Sequence, residues 1–327
     1  MENLLLAWQE FRVGKRKRKD VSEFEMRLED NLLFLHRELL AGAYRPSPYF
    51  SFYITDPKLR HIHKVAVRDR VVHQAVFRIL NPIFDRHFIY DSYSSRDNKG
   101  THRAVKRLET FCRKLSRNYH YPVWILKCDI KKFFDSVDHR ILIKLISAGF
   151  ADLQVLGLIE LIIGSFHTQT GKGLPLGNVT SQLFANIYLN ELDQFVKHEL
   201  KVRHYIRYTD DFVNVSRDEV YLESLILKIG KFLFDILKLG LHPRKIICRK
   251  FLQGIDFLGY VILPHYIILR TKTKRRMFRK FIQRREELSR GLIAEKTYAS
   301  VFQSYLGTLK HCKGFKIKQR LLSLIKE

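Results

Sequence analysis

Three aspartates carry the chemical content of this sequence. Asp210 and Asp211 are adjacent in a turn flanked by the apolar pairs Tyr205-Ile206 and Phe212-Val213, and Asp129 closes another apolar run well upstream. Adjacent carboxylates at a strand turn repel each other, so a fold retains them at a cost unless cations bind there. An Asp-Asp turn on its own is common on surfaces. A third carboxylate ending a strand that can pair beside the first changes its meaning. Hard oxygen ligands from two neighbouring strands suit Mg²⁺. Two such ions, about 3.5–4 Å apart, activate a hydroxyl and stabilise a leaving pyrophosphate, which is the chemistry of nucleotidyl transfer.

The elements that must position these carboxylates are read from periodicity. Residues 123–128, 206–208 and 212–215 are β-rich apolar runs that end or turn at carboxylates. Helical patterns lie at 138–164, 180–200 and 218–240. This β, α, α, β, α order predicts an α+β fold, its sheet covered by helices on one face. Upstream, Phe24, Leu28, Leu32, Leu35 and Leu39 predict a helix over 22–40, stopped by Gly42, Pro46 and Pro48. Residues 50–54 and 61–67 alternate around Asp56-Pro57-Lys58 as a basic hairpin. His61 and His63 share a face of it, and with no Cys or third His nearby they read as surface or nucleic-acid contacts. Residues 254–269 form a small β unit, and helical spacing resumes from Thr271 through Phe278, Phe281, Leu288, Phe302 and Leu309, a bundle rather than a tail.

Charge points to the partner. Against 33 Asp and Glu stand 59 Lys and Arg, a net +26. Half of that excess lies in residues 264–327, which hold 17 Lys and Arg and 4 Asp and Glu. Such a surface attracts polyanions, with a phosphate backbone the expected partner, although a ribosome-bound or membrane-apposed protein would share the excess. Hydrophobic residues make up 46% of the 327, enough for a core, which excludes global disorder and a disulfide-stapled miniprotein. Cys112, Cys128, Cys248 and Cys312 form no CxxC pair and read as reduced thiols of a cytoplasmic protein. The basic cluster at 15–19 follows the short apolar stretch 4–7, unlike a signal peptide. Lys144, Asp152 and Glu160 interrupt the apolar region 141–166, so no membrane partner is expected.

Three ordered motifs, LKCDIKKFFD at 126–135, GLPLGNVTSQ at 173–182 and YTDD at 208–211, resemble those of reverse transcriptases. LHPRK at 241–245 and FLGY at 257–260 resemble two later motifs of that family, the second its primer grip. The resemblance covers roughly residues 50–320. It implies a right-hand polymerase with a palm antiparallel sheet backed by helices and a helical thumb. Residues 1–122 would be an N-terminal helical extension and fingers, 123–263 the palm with an interleaved fingers segment at about 140–175, and 264–327 the basic thumb.

Roles follow by position. Asp129 and Asp210 would ligate two Mg²⁺ ions, with the Ile130 carbonyl as a further ligand and Asp211 completing the carboxylate set. Phe134 would be the steric gate against a ribose 2′-hydroxyl; by residue type alone it reads as core. Lys58 and Arg60 match residues that hold the incoming triphosphate, and a solvated turn is their alternative. Arg96 would contact template or nucleotide. Lys245 would protonate the leaving pyrophosphate or serve as one more backbone-binding lysine. Gly177 would let the backbone approach the nascent base pair, or be a plain turn glycine. Phe257, Leu258, Gly259 and Tyr260 would grip the primer, and Arg275, Arg276, Arg279 and Lys280 the duplex.

The middle motif departs from the commonest pattern: Leu176 stands where relatives usually have Gln, and Gln182 where they have Pro, positions that the resemblance would put beside the incoming nucleotide. This form resembles reverse transcriptases of diversity-generating retroelements. The chain's size agrees, leaving no room for maturase, endonuclease or ribonuclease H domains. That class, from bacteria and their phages, copies a template-repeat RNA into cDNA with frequent errors at adenines. Its implied partners are an RNA template, a DNA or RNA primer, dNTPs and a small basic accessory protein oligomer; by their own apolar and basic chemistry, segment 1–40 and the thumb are the candidate docking surfaces. A group II intron-like or phage-defence reverse transcriptase is the alternative. A catalytically silent RNA-binding scaffold is a third, against which Asp129, Asp210 and Asp211 argue.

Overall fold

The computed structural model describes residues 1–56 and 58–326; Pro57, in the expected hairpin turn, lies outside the described residues. Helices α1 (Glu2–Arg12), α2 (Lys19–Met26) and α3 (Leu28–Leu40) come first, then strands β1 (Phe50–Ile54) and β2 (Arg60–Lys64) and helices α4 (Val67–Asp85) and α5 (Thr101–Leu115). Strand β3 (Trp124–Asp129) leads to helices α6 (Phe133–Ser136), α7 (His139–Gly149), α8 (Leu153–Gly164) and α9 (Val179–Gln194). After β4 (Tyr205–Tyr208), β5 (Asp211–Ser216) and α10 (Glu219–Asp235) comes β6 (Ile247–Lys250). Three short strands, β7 (Ile255–Phe257), β8 (Tyr260–Leu263) and β9 (Tyr266–Leu269), precede α11 (Thr271–Ser289), α12 (Glu295–Leu309) and α13 (Phe315–Lys326).

The central sheet has the order β4-β5-β3-β6, and every pair is antiparallel. Strand alternation sends its side chains into two different cores. Leu126, Cys128, Tyr205 and Phe212 pack with α9 and α10 on one face. Ile125, Ile206, Val213 and Val215 pack on the other with Ala104, Val105 and Leu108 of α5 and with the β7-β8-β9 sheet. The expected covering of one face by helices is therefore corrected. Both faces of these strands are apolar, and a sheet apolar on both sides must be covered on both.

Other boundaries move for local reasons. The helical pattern over 138–164 is two helices, because Asp152 accepts the backbone N–H groups of Gln154 and Val155 at 3.0 and 3.1 Å and so caps α8. Asp138 caps α7 in the same way. The helix expected over 22–40 is divided at Arg27 into α2 and α3. The strand expected to reach residue 67 ends at Lys64, and Val67 opens α4. That helix, with Val71, Val72, Val76 and Leu80 buried, was masked in the sequence by Pro82, which removes an amide donor only in its last turn. Residues 1–122 divide between the two cores, since α1 and α4 join the first and α5 the second. The C-terminal helices begin at Thr271, as the apolar spacing predicts, and Tyr266–Leu269, near the start of the expected 264–327 segment, is the third strand of the small sheet. Among the described residues, no helix is long and apolar enough to cross a membrane.

Candidate active site

Antiparallel register places Asp129, the last residue of β3, directly opposite Asp211, the first of β5, while Tyr208 pairs with Asp211 across the β4–β5 turn. Thr209, at the turn, is held at φ 54°, a left-handed conformation uncommon outside glycine. Further backbone bonds fix the sheet end. Ile130 N–H donates to Asp210 O at 3.1 Å, and His242 N–H donates to Asp129 O at 2.8 Å. The three carboxylates thus converge on one end of the sheet.

Their electrostatics are unbalanced. Burial pushes the Asp211 carboxyl up to about 6, with Asp129 and Asp210 adding to the rise and Lys127 opposing it. Asp210 is raised by burial and by Asp129, against the pull of Lys245 and Arg60. Asp211 Oδ1 is buried without a hydrogen-bond partner among the described residues. Two ammonium groups stand against the other oxygens: Lys245 Nζ donates to Asp129 Oδ1 at 2.7 Å, and Lys127 Nζ lies 3.2 Å from Asp211 Oδ2. Hard oxygen donors, an orphaned buried oxygen and cationic stand-ins fit a divalent cation. The carboxylates are not closed around one point, however. Among the described residues, the one group of three potential ligands with all atoms within 4.8 Å is Glu219, Glu223 and Cys248, on α10 and β6.

A cavity of about 620 Å³ opens between the β1–β2 hairpin and the α6–α9 region, lined among others by Arg60, His61, His63, Lys132, Lys172, Leu176 and Lys238. Arg60 and Leu176 both line it. Leu176 is half-buried, and its carbonyl accepts the His63 N–H at 3.1 Å. Gly177, at φ 120°, lies against β2, where a Cβ would come within 3.3 Å of Ile62 Cγ2. Gln182 is exposed near the start of α9, and Lys58 is exposed beside the hairpin turn. Phe134 is half-buried against the first core and meets Phe133 edge-on, at a centroid separation of 5.3 Å.

Two expected groups are used differently. Arg96 is not free for template or nucleotide: its Nε and Nη2 bind the Asp85 carboxylate at 2.6 and 3.2 Å, and the remaining donors go to the carbonyls of Asp85, Ile89 and Ser92. All five guanidinium donors are consumed in bracing the loop after α4. Of the four presumed grip residues, Phe257 and Tyr260 are buried, and Tyr260 Oη donates to Thr308 O at 3.2 Å. Only Leu258 and Gly259, at φ 51° and 90°, form the partly exposed two-residue tip. Arg276, Arg279 and Lys280 of α11 converge on Asp56 at the hairpin turn, whereas Arg275 is exposed. The free protein thus brings the hairpin turn and α11 together.

Lys127 and Arg207 were missed in the sequence. Lys127 lies two positions before Asp129, on the same face of β3, so the period of two could have flagged it. Arg207, fully buried, forms a two-point pair with Asp193 at 2.7 and 2.6 Å and also donates to Asn186, Ser92 and the Thr209 carbonyl. Thr209 Oγ1 donates to Ser94 Oγ at 2.7 Å, so the loop after α4 and the carboxylate turn are braced against each other.

Residues 55–262 match the family model described as Reverse transcriptase (RNA-dependent DNA polymerase). The protein YkfC of Escherichia coli is 29% identical over 283 residues, covering 73% of each chain. The group II intron-encoded protein LtrA of Lactococcus lactis is 30% identical over 177 residues, which are 51% of this chain but 28% of LtrA. Among solved structures, telomerase from Candida albicans in complex with a fragment of telomeric RNA superposes with a TM-score of 0.51 at 14% identity, over 72% of this chain and 51% of the telomerase. That last likeness concerns the fold alone.

Proposed function

Because this chain belongs to the reverse transcriptase family, with its right-hand polymerase fold, we propose that it is an RNA-directed DNA polymerase working from the Asp129, Asp210 and Asp211 end of the central sheet. The observation that carries this reading is the opposition of Asp129 and Asp211 across β3 and β5 with one buried carboxylate oxygen unpartnered. Asp129, Asp210, Asp211 and the Ile130 carbonyl would hold Mg²⁺, two ions on this reading, which supply hydroxyl activation and charge neutralisation.

The chain's other groups supply position. Arg60 and Lys58 would hold the triphosphate, with Lys132, Lys172 and Lys238 adding positive charge along the cavity. Lys245, once released from Asp129, would stand beside the leaving group as proton donor. Phe134 and Gly177 would bound the nascent pair, the Leu258-Gly259 tip would touch the primer, and Arg275, Arg276, Arg279 and Lys280 would hold the duplex. On this reading residues 123–263 are palm, the β1–β2 hairpin and segment 140–175 are fingers, and the C-terminal helices are thumb.

The finer reading is error-prone copying of a template-repeat RNA, as in diversity-generating retroelements. The exposure of Leu176 to the cavity that Arg60 also lines supports it, since an apolar side chain there offers the incoming nucleotide no polar check. A small basic accessory protein and a bacterial or phage-infected cytoplasm belong to that reading. The similarity to LtrA favours a group II intron-like reverse transcriptase as a second reading. Primer extension on one RNA of mixed composition, followed by cDNA sequencing, tests both. Errors concentrated opposite template adenines support the first reading, even error rates support the second, and no extension with any divalent cation contradicts both.

A further inference from the structure

Helix α5 ends at Leu115 in a hollow of about 400 Å³ lined by Arg113, Lys114, Arg117, Asn118 and His120. The chain leaves the helix through three consecutive left-handed residues, Arg117, Asn118 and Tyr119, at φ 47°, 59° and 71°. None is glycine, so the turn is held at some cost. It is pinned by Asn118 N–H to Arg113 O and Tyr121 N–H to Ser116 O, both 2.9 Å, and by Tyr119 N–H to Ser116 Oγ at 2.8 Å. The turn folds Arg117 and His120 back beside Arg113 and Lys114.

Tyr121, next to His120 in the chain, is 42% exposed, with the Arg217 guanidinium 4.4 Å from its ring centroid and Arg117 at 5.4 Å. Lys250 lies 5.1 Å over the neighbouring Trp124. Basic residues ending a helix are explained by its dipole, which accounts for Arg113 and Lys114. It does not account for Arg117 and His120, beyond the helix, or for Arg217, which follows β5. Among the described residues none of these basic side chains is paired with a carboxylate. The α5 carboxylate Glu109 is engaged by Lys106 at 2.8 Å and by the Tyr119 hydroxyl at 3.1 Å. Gathered, unpaired cations repel each other and favour a polyanion.

We propose that Arg113, Lys114, Arg117, His120, Tyr121 and Arg217 form a second RNA-binding site, holding RNA phosphates and stacking a base on Tyr121 while the cleft holds template and primer. An acidic protein surface would satisfy the charges, but an exposed ring flanked by guanidinium groups suits an unpaired base. Simultaneous occupancy follows from placement. Trp124 begins β3 and Asp129 ends it, so the two sites are separated by the length of that strand, about 17 Å.

The test uses the full chain with its cleft filled by excess unlabelled RNA/DNA primer duplex, and follows a fluorescently labelled single-stranded RNA by anisotropy. The wild type is expected to bind the labelled RNA. The triple variant Arg113→Gln/Arg117→Gln/Arg217→Gln should bind it at least about tenfold more weakly, with the salt slope flatter by about 2. Its melting temperature and its affinity for the primer duplex should stay unchanged. The Arg→Lys triple keeps the slope and loses part of the affinity, since lysine lacks the planar fork. Wild-type affinity and slope in the Gln triple, no binding of labelled RNA by the filled wild type, or equal competition by a polyglutamate peptide would each overturn the proposal. All readouts are binding, so they stand or fall apart from polymerase activity.

Discussion

Two charge clusters, one fully buried and one half-buried, occupy the same β4–β5 hairpin and are built to opposite rules. Arg207 and Asp193 are both fully buried, opposite in sign, and matched by two short hydrogen bonds, with Asn186, Ser92 and Thr209 taking further donors. Beyond Thr209, Asp210 and Asp211 have the same sign, face a third carboxylate and leave one oxygen orphaned. A closed pair needs nothing from outside and holds a shape. An open set of like charges stores a cost that a ligand of opposite charge can relieve. The hairpin thus sets a scaffold beside the proposed cation site, with Thr209 as the joint.

The sharpest way to break the comparison is Arg207→Met. Removing one partner leaves Asp193 buried and uncompensated, so the variant should lose about 3–5 kcal/mol of unfolding free energy, measured by urea denaturation. An unchanged midpoint would mean that the closed pair is not the scaffold. The open cluster should respond in the other direction. The folded state holds Asp211's proton to about 6, whereas the unfolded chain releases it near the ordinary 3.8. The folded state therefore loses stability as pH rises through that window. In chelator, Asp211→Asn should match the wild type near pH 4 and exceed it above pH 6, by on the order of 2–3 kcal/mol. A constant difference across that range in thermal melts would remove the burial argument.

Smaller effects refine the account at the cleft. Leu176→Gln restores a polar contact worth about 1–3 kcal/mol and should reduce misincorporation opposite adenines roughly ten- to hundredfold. Equal error spectra in cDNA sequencing would place fidelity elsewhere. Asp56→Asn frees Arg276, Arg279 and Lys280 from an exposed contact, so it should tighten duplex binding only a few-fold. Replacing those three cations with Ala should flatten the salt dependence by about 0.7–0.9 per lost phosphate contact. A slope unaltered in the triple variant would assign that helix face to the hairpin alone.

Much of this was legible in the sequence where one short-range rule governed. Apolar runs ending in Asp129 and bracketing Asp210-Asp211 predict neighbouring strands, and the structure pairs them. Motif order gave the family. The failures share a cause, which is that tertiary partners are invisible to spacing. Arg96 has the residue type of a phosphate ligand, yet Asp85 and three carbonyls take every donor it has. Arg207 resembles any charged residue in a short strand until Asp193 is seen behind it. Phe257 and Tyr260 belong to a motif-shaped tip but are core, because a hairpin tip buries its flanks. Asp152 was read as an interruption in an apolar run when it was a helix cap, a signal present in the sequence and assigned the wrong role.

The central claim, that the open carboxylate cluster is the polymerase's catalytic cation site, is tested most directly by Asp210→Asn. Primer extension on an RNA template with Mg²⁺ is compared between variant and wild type, alongside thermal melts in the same buffer. The substitution removes a charge and hardly changes volume. The account predicts extension by the wild type, a loss of at least about 100-fold in the variant, and a melting temperature equal to or above the wild type's. Near-wild-type extension by a folded Asp210→Asn protein would contradict it.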